Sequence, residues 1–380
     1  MRLIRPIRLI LLGSLLMAGC AEEEMGVWPV SGDAVPIAFE CWTDETYKSD
    51  ETRTANGYTG NLTNENQQLR YAGFGVFMAH NASSKPDIMY NQRVEYTFLS
   101  DGSGNGYWTY SPLKYWPAQA NGVSICAYAP YVENPVSVSA GTTGIIGLSD
   151  NDDTTPLIFF ARAKHPEENV DLLWSHVGVT DAMLTDGRPR MSRAVGLQMK
   201  HALTRVKLSI GITNGSTLAT GDKLLVKRVT LTGNFAKTGK LDLTGSGTTP
   251  TWTEQDVEAT DETIFVDCNP EVNPNSYGII AEEARYIEGL PYNWLPSGLP
   301  HTNYNAADAT TKTNLLCMGD APSYLYLIPQ TALEFTCVVD FYRKPSVGDA
   351  TEFSKSTDSA IQIASLEGNK TYDLTLKITL

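Results

Sequence analysis

Cys20 is the one side chain whose neighbours prepare it for covalent chemistry. Arg2, Arg5 and Arg8 precede an apolar run from Leu9 to Ala18, and Gly19 separates that run from the cysteine. Basic residues, an apolar stretch and a small residue, in that order, make an export leader with its cleavage site. The run is shorter than the roughly 20 residues that cross a bilayer, so the leader is expected to be cut, not to span. A cysteine directly after Met17, Ala18 and Gly19 reads as the lipidation point of a bacterial lipoprotein, with Met17 standing where leucine is usual. Palmitate-like acyl chains contribute about 0.8 kcal/mol per buried methylene, so several on one thiol anchor a protein firmly. The alternative is an ordinary secretory leader that happens to hold a cysteine. Glu22, Glu23 and Glu24 follow, either as a surface-sorting tag or as a solvated linker.

The sequence shows no catalytic constellation. His80, His165, His176, His201 and His301 have no H-E-x-x-H or other ligand spacing. For His201 a structural hydrogen bond is the plainer role. No G-x-S-x-G elbow occurs. Gly102 to Gly106 leads into strand-like Tyr107 and Trp108, where a phosphate cradle would lead into a helix. Ser149 to Thr155 lacks the ligand order of a calcium loop and reads as a solvated turn. The expectation is a protein that is not an enzyme and carries no cofactor or metal. Trp108, Tyr110, Tyr115 and Trp116 are either a platform for sugar rings or ordinary core aromatics.

Of six cysteines, Cys20 is committed to lipid, leaving Cys41, Cys126, Cys268, Cys317 and Cys337. Five thiols cannot all pair, and their spacing matches no zinc or redox motif. Cys41, Cys126 and Cys337 sit in apolar runs as small hydrophobes, and any pairing stays open. The formal net charge of −14 argues against nucleic acid and anionic lipid as partners.

Proteolysis is the second chemistry in view. Thr43 to Asn56 is polar and free of Gly and Pro, and it exposes Lys48 and Arg53. Such a segment suits a trypsin-like protease. A cut after Arg53 detaches the lipid together with the apolar-alternating run Val35 to Trp42. A passive tether is the alternative.

The elements around these positions read as strands. Apolar residues alternate at period two between turn formers, and helical periodicity is scarce. Before Thr185–Arg190 the candidates are 35–42, 71–80, 93–99 and 107–110 (a hairpin), 122–131, 157–161 and 170–174. After it come 194–212, 223–232, 239–243, 263–266, 323–329, 333–342, 360–364 and 371–380. Pro270 to Leu316 reads as long loops with a short helix near Ala281 to Tyr286. Two successive sets of about seven strands predict an all-β chain of two tandem antiparallel β-sandwiches. The expected division is a signal peptide over 1–19, an acidic tether over 20–34, and sandwiches over 35–190 and 191–380.

The final ten residues alternate without a break. Tyr372, Leu374, Leu376, Ile378 and Leu380 fall on one face of an extended strand, with polar residues between them. Either this strand closes its own sheet, or it leaves to complete another molecule's sheet by β-augmentation.

These features together resemble the fimbrillins, the FimA-type subunits of Bacteroidetes type V pili. The likeness runs through GFGVFMAH, SPLKYWP, SICAYAPY, VDLLWS, LQMKHALTRVKLSI, the VTLTGNFAKTGKLDLTG hairpin, YLYLIPQT and GNKTYDLTLKITL. It implies transthyretin-like sandwiches and export to the outer membrane as a lipoprotein precursor acylated at Cys20. It further implies cleavage by an Arg-specific protease, for which Arg53 is the best match and Lys48 a poorer one. The donor strand of Tyr372, Leu374, Leu376, Ile378 and Leu380 would then fill the groove of another pilin subunit in an extracellular fimbria. The resemblance leaves open stalk, tip or anchor position, and any host or glycan ligand. The rival expectation is a monomeric, surface-anchored, glycan-binding lipoprotein.

Overall fold

Period-two alternation becomes strand almost throughout. A computed structural model describes residues 36–43 and most of 65–378, with its longest breaks at 213–222, 268–293 and 296–312. The first half contains β1 (Phe39–Thr43), α1 (Glu65–Ala72), β2 (Phe74–His80), β3 (Met89–Phe98), β4 (Gly106–Thr109), β5 (Val123–Ala129), β6 (Gly144–Leu148), β7 (Leu157–Ala161), β8 (Leu173–Val179) and β9 (Val195–His201). The second contains β10 (Thr204–Ile212), β11 (Lys223–Gly233), β12 (Thr238–Asp242), β13 (Thr251–Thr253), β14 (Glu262–Asp267), β15 (Leu325–Leu327), β16 (Gln330–Lys344), β17 (Thr351–Ser356), β18 (Ile361–Leu366) and β19 (Thr371–Ile378). Several two-residue ladders lie between them.

Most expected strands are present, with shifted ends. The strand expected over 71–80 starts only at Phe74, because 65–72 is helical. Gly73 ends that helix at φ +67°, and its N–H donates to the Leu69 carbonyl at 2.9 Å, closing the last turn as a left-handed cap. The expected run 194–212 is two strands, interrupted at Ala202 and Leu203, which are both fully buried. The predicted helix near 281–286 lies outside the described residues.

The largest sheet has seven strands in the order β1-β9-β8-β5-β2-β3-β4. Its central strands are buried on both faces. In β5, Val123, Ile125, Ala127 and Ala129 line one core with Ile37, Phe39, Val76 and Leu197, while Cys126 and Tyr128 line another with Phe77 and Trp174. A strand covered on both sides needs apolar residues at every position, which is why GVSICAYA shows so little alternation.

The second core is closed by a four-stranded sheet in the order β13-β12-β7-β6. Two of its strands precede the expected 190/191 boundary and two follow it. The hairpin expected from VTLTGNFAKTGKLDLTG does not form: β11 pairs with β14 and β16, whereas β12 pairs with β7 and β13. The chain changes sheet at Asn234 to Lys237, so a short connection between two alternating runs joins strands that are not paired. Arg162 stitches the same boundary. Its guanidinium donates to the Ala236 carbonyl at 3.2 Å, the Ala163 carbonyl at 2.7 Å and the Glu262 carboxylate at 3.3 Å. Burial pushes its pKa down to about 10, with Glu262 opposing that shift.

The remaining strands form a sandwich of their own. β10 has β15 on one side and β19 on the other, and faces a sheet in which β11 lies between β14 and β16. Leu208, Val229, Leu231, Ile264, Leu333, Phe335 and Leu376 fill the space between.

Cys126 and Cys337 are buried thiols, not disulfides. Burial pushes each up to about 12. Both should stay unmodified by iodoacetamide at pH 8 in the folded protein and react fully in guanidinium, as peptide mass spectrometry would record. Modification of either at the rate of a free thiol would contradict their placement.

Candidate functional site

Two strands stand out by how they are held. β1 is at the edge of the seven-stranded sheet and runs parallel to β9, with Phe39 opposite Val195 and Thr43 opposite Met199. β19 runs parallel to β10, from Thr371 opposite Arg205 to Ile378 opposite Ile212. β9 and β10 are consecutive and are separated only by Ala202 and Leu203. The first and last described strands therefore flank one continuous piece of chain in the same pairing mode. A parallel pair needs a long connection, so nothing local in either sequence forces these partners.

The β1 slot is deep. Ile37 is 1% exposed and Phe39 is 4% exposed. The Phe39 ring meets Phe74 edge-on at 6.2 Å and Tyr110 at 5.7 Å between centroids. The Ala38 carbonyl accepts from the Val195 N–H at 2.8 Å. On the opposite edge, the Ile37 N–H donates to the Lys114 carbonyl at 2.9 Å, and the Tyr110 hydroxyl donates to the Ile37 carbonyl at 2.7 Å. Burial raises the Tyr110 pKa to about 12, so it stays a donor across the physiological range. Trp42 lies across Gly196, where any Cβ would come within 2.7 Å of the indole.

β19 is also packed. Leu376 is 5% exposed, and Tyr372 and Leu374 lie half-buried against the same core. Its entry turn is sewn to the β9–β10 junction. The Asn369 side chain accepts from the His201 N–H at 3.2 Å, the Asn369 N–H donates to the Leu203 carbonyl at 3.1 Å, and the Arg205 N–H donates to the Lys370 carbonyl at 2.9 Å. The Thr204 hydroxyl donates to the Glu367 carbonyl at 2.9 Å. In this structure the strand with the alternating pattern lies in its own sheet. Cys20, Arg53 and Leu380 lie outside the described residues.

Lys48 and His301 also lie outside the described residues, and the described candidates below take structural places. His201 Nδ1 lies 2.8 Å from the buried Asp171 carboxylate, His176 lies 2.9 Å from the Ser124 hydroxyl, and His80 lies 2.8 Å from Asp87. No group of metal-ligating side chains occurs among the described residues. Lys85 reaches Asp152 at 2.6 Å in the loop weighed for calcium. Of the four aromatics weighed as a sugar platform, Trp108 packs on Phe74 at 4.9 Å, Trp116 is buried and Tyr110 grips β1, leaving Tyr115 exposed. Sequence reasoning missed the part played by 110–116 as the second wall of the β1 slot. The only trace of it in the sequence is a cluster of aromatics beside a proline.

No helix among the described residues is long and apolar enough to cross a membrane. The Fimbrium subunit Fim1C of Phocaeicola vulgatus is 25% identical over 231 residues, which are 57% of this chain and 54% of that protein. The chain thus matches about half the length of that curated relative. The crystal structure of a fimbrial protein from Bacteroides vulgatus superposes with a TM-score of 0.54 at 19% identity, covering 91% of this chain and 96% of that one. A family model described as Fimbrillin-like matches residues 52–380. With the fold and most of its length in agreement, this all-β chain belongs to the fimbrillin-like family.

Proposed function

We propose that the protein is a fimbrial subunit assembled by strand exchange, in which the β1 slot receives a strand and Tyr372, Leu374, Leu376, Ile378 and Leu380 supply one. The observation that carries this reading is the shared pairing mode of β1 and β19. A strand already held parallel to its neighbour, with large apolar side chains on one face, needs no change of geometry to sit where β1 sits. In this reading the precursor is acylated at Cys20 and held on the outer membrane. An Arg-specific protease then cuts after Arg53 and frees β1 with the lipid, and the mature subunit becomes extracellular. The family model begins at residue 52, beside Arg53, and leaves β1 out, which supports a boundary there. A head-to-tail joint of this kind does not close on itself, and so it propagates into a fibre.

The energetics favour slow exchange into a durable joint. Each large apolar side chain seated in a slot contributes about 1.5–3 kcal/mol. Because β19 already satisfies its own core, the net gain is the difference between two slots, and the barrier is the loss of its present ladder.

That docked tail favours a second reading: a subunit that accepts a strand and keeps its own, and so ends a fibre. Digestion of the purified precursor with an Arg-specific protease tests both. The proposal expects a single cut after Arg53 and then concentration-dependent polymers. Heterodimers with another pilin, without extension, favour the terminal subunit. A cut protein that stays monomeric with every pilin offered overturns both and favours an anchored glycan-binding lipoprotein.

A further inference from the structure

We infer that the segment Tyr110–Trp116 is a main-chain clamp on the strand-acceptor slot, with Tyr110 as its positioning residue, gripping whichever extended segment occupies the place of residues 37–43. The identity of that occupant rests on the strand-exchange reading, and the occupant we assign is the terminal strand of a second copy.

An extended chain offers hydrogen-bonding groups on two edges. Successive residues turn their N–H and C=O groups to opposite sides. At Ala38 the carbonyl faces β9 and accepts from Val195. At Ile37 both main-chain groups face the other way, the N–H to the Lys114 carbonyl and the C=O to the Tyr110 hydroxyl. Pro36 extends this contact through an isolated bridge to Tyr115. The segment that leads into β1 is therefore held from both sides, by β9 at Ala38 and by 110–115 at Pro36 and Ile37. The bonds engage only the backbone of the occupant, so they do not read its side chains.

Selection falls to the pockets below. One takes Ile37, and the next, two residues on, is walled by Phe74 and Tyr110 and takes Phe39. The slot thus asks for an extended segment without proline at the clamped position, with large apolar residues at period two. Residues 371–380 meet that requirement throughout: they contain no proline and place Tyr372, Leu374, Leu376, Ile378 and Leu380 on one face.

The test is Tyr110→Phe, which keeps the ring against Phe39 and removes only the hydroxyl. In the full uncut chain, amide hydrogen exchange at Ile37 should rise about 3- to 10-fold, the effect of one net hydrogen bond. Ile125 and Ala127 in the sheet centre should not change. An unaltered rate at Ile37, or an equal rise at Ile125 and Ala127, overturns the clamp. After Arg-specific digestion has removed the leading strand, a fluorescent peptide of residues 371–380 should leave the Tyr110→Phe protein faster by a similar factor. Equal dissociation from both proteins also overturns the clamp. Failure of the peptide to bind the digested wild-type protein at all overturns the assignment of a second copy's tail as the occupant instead, and the exchange rates in the uncut chain still decide the clamp.

Discussion

Leu376→Asp should destabilise the second sandwich severely, lowering the urea midpoint by the equivalent of at least about 2–5 kcal/mol. That range is the cost of truncating a buried leucine to alanine, and a carboxylate placed in the same apolar surroundings adds a desolvation penalty. Leu376 is 5% exposed and belongs to the core formed with Leu208, Val229 and Phe335. For a protein stable by about 5–15 kcal/mol, such a loss is a large part of the whole. Asp373→Ala is the control: Asp373 points to solvent on the same strand, and its removal should change stability by less than about 0.5 kcal/mol. Equal, small effects of both substitutions would mean that β19 is not packed as described. The same reasoning applies to removal of residues 371–380. Cutting them away exposes the β10 edge together with Val206 and Leu208, so the truncated chain should lose stability as well as any power to donate a strand. Assembly experiments therefore need substitutions at the receiving slot as well as at the tail.

Trp174→Ala should cost about 3–5 kcal/mol and weaken both halves of the molecule at once. Trp174 is fully buried in the core shared by the seven-stranded sheet and the β13-β12-β7-β6 sheet. Lys200 Nζ lies 5.2 Å from its ring centroid, and a Cβ at Gly245 would touch it at 3.5 Å, so Trp174, which precedes position 190, packs on residues that follow it. Trp174→Phe should cost much less. The indole Nε1 has no partner among the described residues, so phenylalanine removes an unsatisfied buried donor while keeping much of the volume. Thermal unfolding followed by tryptophan fluorescence and by far-ultraviolet circular dichroism checks the pair. Two well-separated transitions in the wild-type protein would count against a shared core.

The proposed strand exchange would place different demands on β1 and β19. β1 is short, sits at a sheet edge and follows the parallel β9, with the Tyr110 and Lys114 contacts adding grip at its start. β19 has a ladder eight residues long and an entry turn bonded to Leu203, Thr204 and Arg205. Release of the first strand is thus expected to be the easier event, in keeping with the proposed order of removal first and donation second.

Much of this was legible before any fold was known. Period-two alternation marked most of the strands, because the pleat sends successive side chains to opposite faces and burial of one face leaves its print in composition. The same rule placed Tyr372, Leu374 and Leu376 together. Which strand lies beside which was not legible. A run such as Thr371 to Leu380 has the same pattern whether it closes its own sheet or a neighbour's, since the ladder bonds use backbone groups common to every residue. The parallel pairing of β1 with β9, the sheet that unites β6 and β7 with β12 and β13, and the reach of Tyr110 to the Ile37 carbonyl all join residues far apart in the chain. Those choices arise only when the whole apolar surface is buried at once, and so they belong to the tertiary structure.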